Sequence, residues 1–169
     1  METEKVIILL GSDIEPRMEY LIRAQEILAN KLGKVVNSSS VYESEPWGFI
    51  SDTKFLNKVL IIETKNTPEE TLKICQQTEK LLGRKRNGKK GYTSRTIDID
   101  ILYYGSKTVN SRKLKIPHPA IIYRRFTLEP LAEVVPDFIH PILNINQKSL
   151  LSSCRDESSV IIKKNKDAL

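Results

Sequence analysis

The strongest constraint on the fold is a segment in which apolar and acidic residues alternate. Ile97, Ile99 and Ile101 are separated by Asp98 and Asp100. Successive side chains of a β-strand point to opposite faces, so this spacing predicts a strand with an apolar core face and two carboxylates on the other face. The Cα atoms of the two aspartates would lie about 6.6–6.8 Å apart, which allows both carboxylates to bind one hard cation or two bridged ones.

A short Asp-x-Asp motif is not specific by itself. On a strand with one wet face, polar residues at this spacing are more often solvated than functional. The neighbouring residues favour chemistry, because Arg95 precedes the pair by three residues and Arg84 and Arg86 lie shortly before it. Arginine presents planar, fork-like donors to phosphate oxygens, so acids and arginines together predict a metal–nucleotide site.

The order of the other elements predicts an α+β protein. Thr67, Pro68 and Glu70 match a capping box with proline in the first turn, which is typical of a helix start. The predicted elements are strands over 6–10, 35–42, 55–64 and 96–104, helices over 16–32, 67–82 and 126–133, and a turn at 109–111. The order β-α-β-β-α-β is typical of the split βαβ arrangement. This arrangement has a mostly antiparallel sheet with both helices on one face, and it leaves the other face for a ligand.

The composition is that of a soluble globular protein, with 40% hydrophobic and 28% charged residues. We expect one domain over 1–143, followed by a weakly patterned tail over 144–169 that is partly mobile. No apolar run approaches the roughly 20 residues of a membrane helix, and the polar N-terminus does not resemble a signal peptide. Two cysteines without a CxxC pattern indicate a reducing compartment, so we predict a cytoplasmic protein.

The formal net charge is +6, and basic residues concentrate between Arg84 and Arg95, where the chain carries no acid. Such a cluster attracts polyanions, although it is most often simply solvated. Segment 83–90 nearly matches the P-loop pattern, but Lys90 replaces the metal-binding hydroxyl and the segment follows a helix rather than a strand. We therefore interpret it as a mobile basic lid, with a disordered solvated loop as the alternative.

The residues alone leave two other function classes open. A basic split βαβ sheet also occurs in RNA-binding RRM domains, but those domains present aromatic residues on the central strands, where this chain has two aspartates. A regulatory domain of the same fold that binds a ligand without catalysis is the third class. The aspartates favour an enzyme, because without a cation they would repel a phosphate backbone.

Single residues elsewhere are weaker candidates. Phe55 and Asn57 share a strand face, so one could stack on a planar ring while the other hydrogen-bonds its edge. His118 lies between two prolines, and Trp47 lies in a loop with proline and glycine. Each of these is more often a core or structural residue than a ligand contact. Glu79 lies beside the apolar stripe of its helix, where an acid is usually a surface residue.

Six segments of the chain, taken in order, match the motifs of a known family. They are Leu-Gly-Ser-Asp (10–13), Ser-Ser-Val-Tyr-Glu-Ser-Glu-Pro-Trp-Gly (39–48), Phe-Leu-Asn (55–57), Glu-Lys-Leu-Leu-Gly-Arg-Lys-Arg (79–86), Arg-Thr-Ile-Asp-Ile-Asp-Ile-Leu (95–102) and Ile-Pro-His-Pro (116–119). With these motifs the chain resembles the 6-hydroxymethyl-7,8-dihydropterin pyrophosphokinase family of folate biosynthesis over about residues 6–136. The block at 95–102, following Gly-Arg-x-Arg, is the most specific part.

The resemblance implies a ferredoxin-like fold in a catalytic domain. It also implies transfer of the β,γ-pyrophosphoryl group of ATP to the hydroxymethyl oxygen of the pterin, with release of AMP. By the resemblance, Asp98 and Asp100 bind two Mg²⁺ ions together with ATP and act in catalysis with Arg84 and Arg95. The implied pterin contacts are Ser44, Trp47, Phe55, Asn57 and Phe126. The implied nucleotide contacts are Glu79, Arg84, Arg95, Ile99, Lys113, Lys115, His118 and Arg124.

The implied partners are the two small-molecule substrates, ATP and a pterin, with neither nucleic acid nor a membrane. The oligomeric state stays open, and a monomer is compatible with the sequence. The chain departs from the family in a few places: Asp13 stands where asparagine is common, Lys113 where arginine is frequent, and Pro119 where an aromatic or basic residue is frequent. Residues 90–94 also lack the usual Arg-Trp-Gly-Pro. None of these departures changes the aspartates or the two stacking positions.

Overall fold

A computed structural model of the chain describes residues 2–45, 54–83 and 96–165. The strands are β1 (Glu4–Ser12), β2 (Gly33–Ser38), β3 (Val41–Ser44), β4 (Phe55–Thr64), β5 (Asp98–Tyr104), β6 (Val109–Asn110), β7 (Lys115–Ile116) and β8 (Val160–Lys164). The helices are α1 (Arg17–Lys31), α2 (Pro68–Leu81), α3 (Arg125–Val134) and α4 (Gln147–Ser152). A short 3-10 turn, Ile121–Tyr123, precedes α3.

Six of the strands form one sheet. Five of them lie in the order β5-β1-β4-β3-β8, and the sixth, β2, also pairs with β4. Every pairing in this sheet is antiparallel. The predicted strand over 35–42 is divided into β2 and β3, which both pair with β4. The sequence-based class, α+β with a mostly antiparallel sheet, is therefore confirmed. The strand with the two aspartates, β5, is an edge strand of this sheet.

The two faces of the sheet carry separate cores. Helices α1 and α2 cover one face, where buried side chains such as Leu28 and Cys75 pack against Ile8 and Leu60 of the sheet. Helices α3 and α4 cover the other face, where Leu128 packs with residues of β1, β4 and β5. The prediction of helices on one face therefore holds for α1 and α2. The opposite face is covered by α3 and α4 over much of its area, because apolar residues of β1, β4 and β5 point to both sides.

The second helix begins as the sequence predicts. Thr67 Oγ1 accepts a hydrogen bond from the Glu70 amide at 3.1 Å, and Glu70 Oε1 accepts one from the Thr67 amide at 2.9 Å. This reciprocal pair satisfies two amide groups that a helix start leaves without an intrahelical partner. The buried residues of α2 then pack on the sheet and place Glu79 behind β5.

Two segments differ from their sequence-based assignment. Val109–Asn110, interpreted as part of a turn, forms β6 and pairs with β7, so the turn lies between those two strands. The C-terminal stretch, interpreted as a tail from residue 144, contains α4 and β8. Leu150 of α4 is buried in the second core, and β8 pairs with β3 at the edge of the sheet. The domain boundary at residue 143 stays a prediction. Across the described ranges, we find no helix that combines the length and the apolar character needed to cross a membrane.

Candidate active site

One end of the second sheet face is not covered by α3 and α4, and a cleft lies there. It encloses about 420 Å³ including its opening to solvent. Its lining residues come from four strands, the residue after β3 and the start of α3. They are Leu9, Gly11, Ser44, Glu45, Phe55, Asn57, Asp98, Asp100, Arg124 and Phe126.

The register of the strands brings these residues together. Gly11 of β1 is the cross-strand partner of both Asn57 on β4 and Asp98 on β5. Leu9 is the partner of Asp100 in the same way, and Ser44 is the partner of Phe55. Directly opposite residues of antiparallel strands share a face. Asp98 and Asp100 are both half-buried and line this one cleft, as the alternation in their segment predicts.

Gly11 makes room on this face. A Cβ atom at Gly11 would lie 2.7 Å from Asn57 Nδ2, closer than a carbon and a nitrogen can pack. A glycine inside a strand often marks such a close approach. Gly11, Leu9 and Glu45 are not among the residues predicted from the sequence, because the place of Gly11 and Leu9 depends on pairing between distant strands and Glu45 follows the end of β3. The glycine within the Leu-Gly-Ser-Asp motif was the available signal for the first of them.

Two buried polar atoms in the wall of the cleft are available to a ligand. The Asn57 side-chain amide donates from Nδ2 to the Leu10 carbonyl at 3.3 Å. Within the described ranges, Asn57 Oδ1 and Ser44 Oγ have no hydrogen-bond partner, and both residues are almost fully buried. A buried polar atom without a partner costs about 1–3 kcal/mol, so a ligand group that bonds to it is favoured.

The other wall comes from the start of α3. Arg124 is 8% exposed, and its guanidinium carbon lies 5.6 Å from the centroid of the Phe126 ring. Burial lowers the pKa of Arg124 to about 10, which still leaves the guanidinium charged at neutral pH. Phe126 on the helix side and Phe55 on the sheet side line the same cleft. A planar ring between them would contact aromatic side chains from both sides.

A second cleft lies along the free edge of β5 and is more basic than the first. It encloses about 670 Å³ including open solvent. Its lining residues are Leu72, Ile99, Asp100, Ile101, Arg112, Lys113, Leu114, Lys115, His118 and Pro119. Four of the residues predicted to contact a nucleotide are among them: Ile99, Lys113, Lys115 and His118. Asp100 lines both clefts, so the two clefts meet at this residue.

Two hydrogen bonds with backbone groups hold His118 in one orientation. Its amide donates to the Leu102 carbonyl at 3.0 Å, and its Nδ1 accepts from the Ala120 amide at 3.1 Å. The neutral ring then carries its proton on Nε2, which leaves one N–H donor for a ligand. Burial lowers the pKa of His118, and the negative charge of Asp98 opposes that effect.

Glu79 is buried, although an acid beside the apolar stripe of a helix is usually a surface residue. It is 4% exposed, and its Oε2 accepts a hydrogen bond from the Ile99 amide at 2.9 Å. It is neither a surface residue nor part of the lining of the second cleft. Burial, and then the charges of Glu79 and Asp100, raise the pKa of the Cys75 thiol.

The donor set on β5 fits a magnesium ion. In the part of the chain that the structure describes, no group of three or more acidic, histidine or cysteine side chains could hold a metal. Asp98 and Asp100 are therefore a two-carboxylate set without Glu79. Mg²⁺ usually takes one or two protein carboxylates and fills its other positions with water and phosphate oxygens. Three further predicted site residues, Trp47, Arg84 and Arg95, lie outside the described residues.

Comparison with known proteins gives a consistent assignment. A 2-amino-4-hydroxy-6-hydroxymethyldihydropteridine pyrophosphokinase from Aquifex aeolicus is 42% identical over 133 residues, which cover 79% of this chain and 81% of that protein. The protein of the same name from Porphyromonas gingivalis is 39% identical over 138 residues, covering 80% of this chain and 93% of that protein. The folic acid synthesis protein fol1 of Pneumocystis carinii is 37% identical over 156 residues.

Some similar proteins are much longer than this chain. The match to fol1 covers 92% of this chain but only 21% of that protein. A crystal structure of HPPK-DHPS in complex with substrates superposes with a TM-score of 0.76 at 15% identity, covering 90% of this chain and 43% of that chain. At this identity the superposition supports the fold alone. The model of the 7,8-dihydro-6-hydroxymethylpterin-pyrophosphokinase (HPPK) family matches residues 7–136, and the chain belongs to this family.

Proposed function

We propose that this chain transfers the β,γ-pyrophosphoryl group of ATP to the hydroxymethyl oxygen of 6-hydroxymethyl-7,8-dihydropterin, with release of AMP. Two relatives named for this activity match over 81% and 93% of their own length. The observation that carries the proposal is the position of Asp100 at the junction of two clefts. One cleft has two aromatic residues and buried polar atoms, and the other is lined by basic side chains.

The first cleft suits a pterin, and we call it the pterin cleft. Phe55 and Phe126 would stack on the two faces of the bicyclic ring, which is an arrangement that aromatic side chains favour. Asn57 Oδ1 and Ser44 Oγ would bond to the polar edge of the ring and so gain the partners that they lack among the described residues. Because Gly11 has no Cβ atom, the Asn57 side chain can lie against it in the position that this contact needs. Trp47 stays a predicted contact.

The second cleft suits the nucleotide, and we call it the nucleotide cleft. Lys113, Lys115 and the Nε2–H of His118 can donate to phosphate or ribose oxygens, while Leu72 and Ile99 offer apolar surface to the base. Lys115 Nζ already donates to Asn110 Oδ1 at 2.7 Å, which holds its side chain near the β6–β7 hairpin. Arg124 lies on the pterin side of the junction, where it would meet the terminal phosphates. Arg84 and Arg95 stay predicted phosphate contacts.

Asp98 and Asp100 would hold Mg²⁺ between the two clefts, with two ions per ATP as our specific proposal. Bound magnesium supplies charge neutralisation and polarisation of the phosphate that is attacked. The residues of the chain orient the two substrates so that the hydroxymethyl oxygen faces the β-phosphorus in line with the bond that breaks. Glu79 would act on this site through β5 and not by contact with the nucleotide.

We place the protein in the cytoplasm, where ATP is supplied, with its two small-molecule substrates as partners. A monomer suffices for this scheme. The function needs neither nucleic acid nor a membrane.

A direct test uses purified protein with ATP, Mg²⁺ and 6-hydroxymethyl-7,8-dihydropterin, and measures AMP and the pterin diphosphate by chromatography. The expected result is equal amounts of the two products, and no AMP when the pterin or Mg²⁺ is omitted. Asp100→Asn should abolish the reaction, while Asp137→Asn, an exposed acid outside both clefts, should not. Binding of both substrates without AMP formation would indicate a regulatory domain instead, and binding of single-stranded RNA would favour the RRM alternative.

A further inference from the structure

The helix that carries Arg124 and Phe126 lacks a cap from its own sequence. The N-cap residue of α3 is Arg124, and its side chain makes no capping hydrogen bond. The first amides of a helix have no intrahelical partner and need an acceptor from elsewhere. For α3 that acceptor comes from the C-terminal stretch of the chain: the Arg125 amide donates to Asp156 Oδ2 at 3.0 Å.

Asp156 is itself held in place. Its other oxygen, Oδ1, accepts from the Ser158 amide at 3.0 Å and from Ser158 Oγ at 2.6 Å. Burial alone would raise the pKa of Asp156, but the hydrogen bonds from Ser158 and Arg125 outweigh it and lower the pKa overall. The carboxylate is therefore charged at neutral pH, and a negative charge at a helix N-terminus is favourable.

The same short segment touches both walls of the pterin cleft. Arg125, whose amide Asp156 binds, lies between Arg124 and Phe126, which both line the cleft. Two residues after Ser158, Val160 begins β8 and pairs with Ser44, which lines the opposite part of the cleft. Asp156 lies beyond the residues that match the family model, which end at 136.

We propose that Asp156 is a positioning residue for the pterin cleft, which it shapes by holding the first turn of α3. The inference rests on the proposed function, because it assigns the first cleft to the pterin. Without the Asp156 carboxylate, the Arg125 amide loses its acceptor and the first turn of α3 can unwind. Arg124 and Phe126 then lose their fixed distance from Phe55 and Asn57, whereas the second cleft, which contains no residue of α3, keeps its shape.

The test compares Asp156→Ala with Asn146→Ala. Asn146 Oδ1 accepts from the Ser149 amide at 2.8 Å and caps α4, which does not line either cleft. Both variants lose one helix cap, so both should have a lower Tm. The dissociation constant of the pterin is measured by calorimetry with Mg²⁺ and α,β-methylene-ATP, in which the bond that would break is blocked. Hydrogen exchange of the amides at 125–128 is measured without ligand.

We expect Asp156→Ala to weaken pterin binding by about three- to tenfold, in line with the loss of one cap, while Asn146→Ala stays within about twofold of wild type. Asp156→Asn, which keeps one carbonyl oxygen as acceptor, should lie between the two. Exchange at 125–128 should accelerate only in the Asp156 variants. Equal pterin affinity in Asp156→Ala and Asn146→Ala overturns the inference and leaves the proposed function intact. No pterin binding by the wild-type protein overturns both.

Discussion

Asp98 and Asp100 are two residues apart on one face of β5, but their carboxylates have different surroundings. Of the two clefts, Asp98 lines the pterin cleft, and its charge acts on His118. Asp100 lines the pterin cleft and the nucleotide cleft. The two residues should therefore contribute unequally to the binding of each substrate, although both would be needed for turnover.

Replacing each aspartate by asparagine separates these contributions. Asp100→Asn should weaken binding of Mg²⁺–α,β-methylene-ATP without pterin by about tenfold or more, and Asp98→Asn by less than about threefold, because, of the two aspartates, Asp100 lines the nucleotide cleft. Both variants should lower kcat to near the limit of detection, by at least about 100-fold, since each removes one of the two proposed metal ligands. Calorimetry and initial rates of AMP release measure the two effects. Equal losses of nucleotide affinity would contradict the assignment of the clefts.

The residues that sequence reasoning could find are those governed by local rules. The common face of Asp98 and Asp100 follows from the two-residue period of a strand. Gly11 and Leu9 could not be found in this way, because their place beside the aspartates depends on the register between β1 and β5. The burial of Glu79 could not be found for the same reason, because its contact with the Ile99 amide joins two elements that are distant in the sequence.

At the scale of elements, β5 depends on α2 for its outer edge. Among the described strands, β5 is the last of the sheet on its side, so its outer backbone groups pair with none of them in the sheet. The Ile99 amide lies between the two aspartates and donates to Glu79 on α2 at 2.9 Å. Because β1 pairs with the inner edge, the segment that carries the aspartates is held from both sides.

Glu79 variants test whether this contact positions the metal ligands. Glu79→Ala should raise the Mg²⁺ concentration for half-maximal activity by about tenfold, a typical effect of a residue that supports metal ligands. Glu79→Gln keeps an oxygen acceptor for Ile99 and should restore most of this loss. Thr78→Ala is the control, because Thr78 is equally buried on α2 and its hydroxyl bonds within the helix, to Ile74. A shift in Mg²⁺ dependence for Thr78→Ala as large as for Glu79→Ala would show that general destabilisation is the cause.

The helices and strands were predicted well where a short stretch of sequence determines them, and poorly where they form only by pairing with a distant strand. The capping box at Thr67 and the β-prone run of β4 each lie within one short segment. By contrast, β8 is a strand because β3 offers it an edge, and residues 160–164 contain two lysines that give no clear alternation. The short strand β6 is stabilised by β7 in the same way, so a sequence typical of a turn forms a ladder.

At the scale of the whole molecule, acid should destabilise the fold through its histidines. The chain has two, His118 and His140, and burial lowers the pKa of both from the ordinary value of 6.5. Below pH 6.5 the unfolded chain then binds protons that the folded chain does not, so the free energy of unfolding falls as the pH falls. Above that pH both states are neutral at these residues, and stability should not change through them.

Chemical denaturation between pH 8 and 5 measures this effect. His140 Nδ1 accepts from the Ile142 and Leu143 amides at 3.2 and 3.1 Å, so protonation there removes an acceptor. His140→Asn keeps an acceptor without titrating, and we expect a smaller loss of stability between pH 6.5 and 5 than in wild type. Asp156 and Glu70, whose pKa values are lowered from 3.8 and 4.5, act only at lower pH. If the free energy of unfolding of His140→Asn falls with pH as steeply as that of wild type, His140 is not a source of the acid destabilisation.

Truncation tests whether residues 1–143 form an independent domain. A chain ending at Leu143 loses Leu150 from the second core and the hydrogen bond between Tyr103 and Gln147, at 3.1 Å. It also loses Asp156 at α3 and the partner strand of β3. Burial of one leucine and one satisfied buried polar pair together amount to about 3 kcal/mol or more, so we expect a large fall in the free energy of unfolding.

A chain ending at Asn165 keeps α4, β8 and these contacts, and serves as the control. If the chain ending at Leu143 instead unfolds at the same denaturant concentration as this control, residue 143 is a true folding boundary, and the C-terminal segment acts on the pterin cleft without supporting the core.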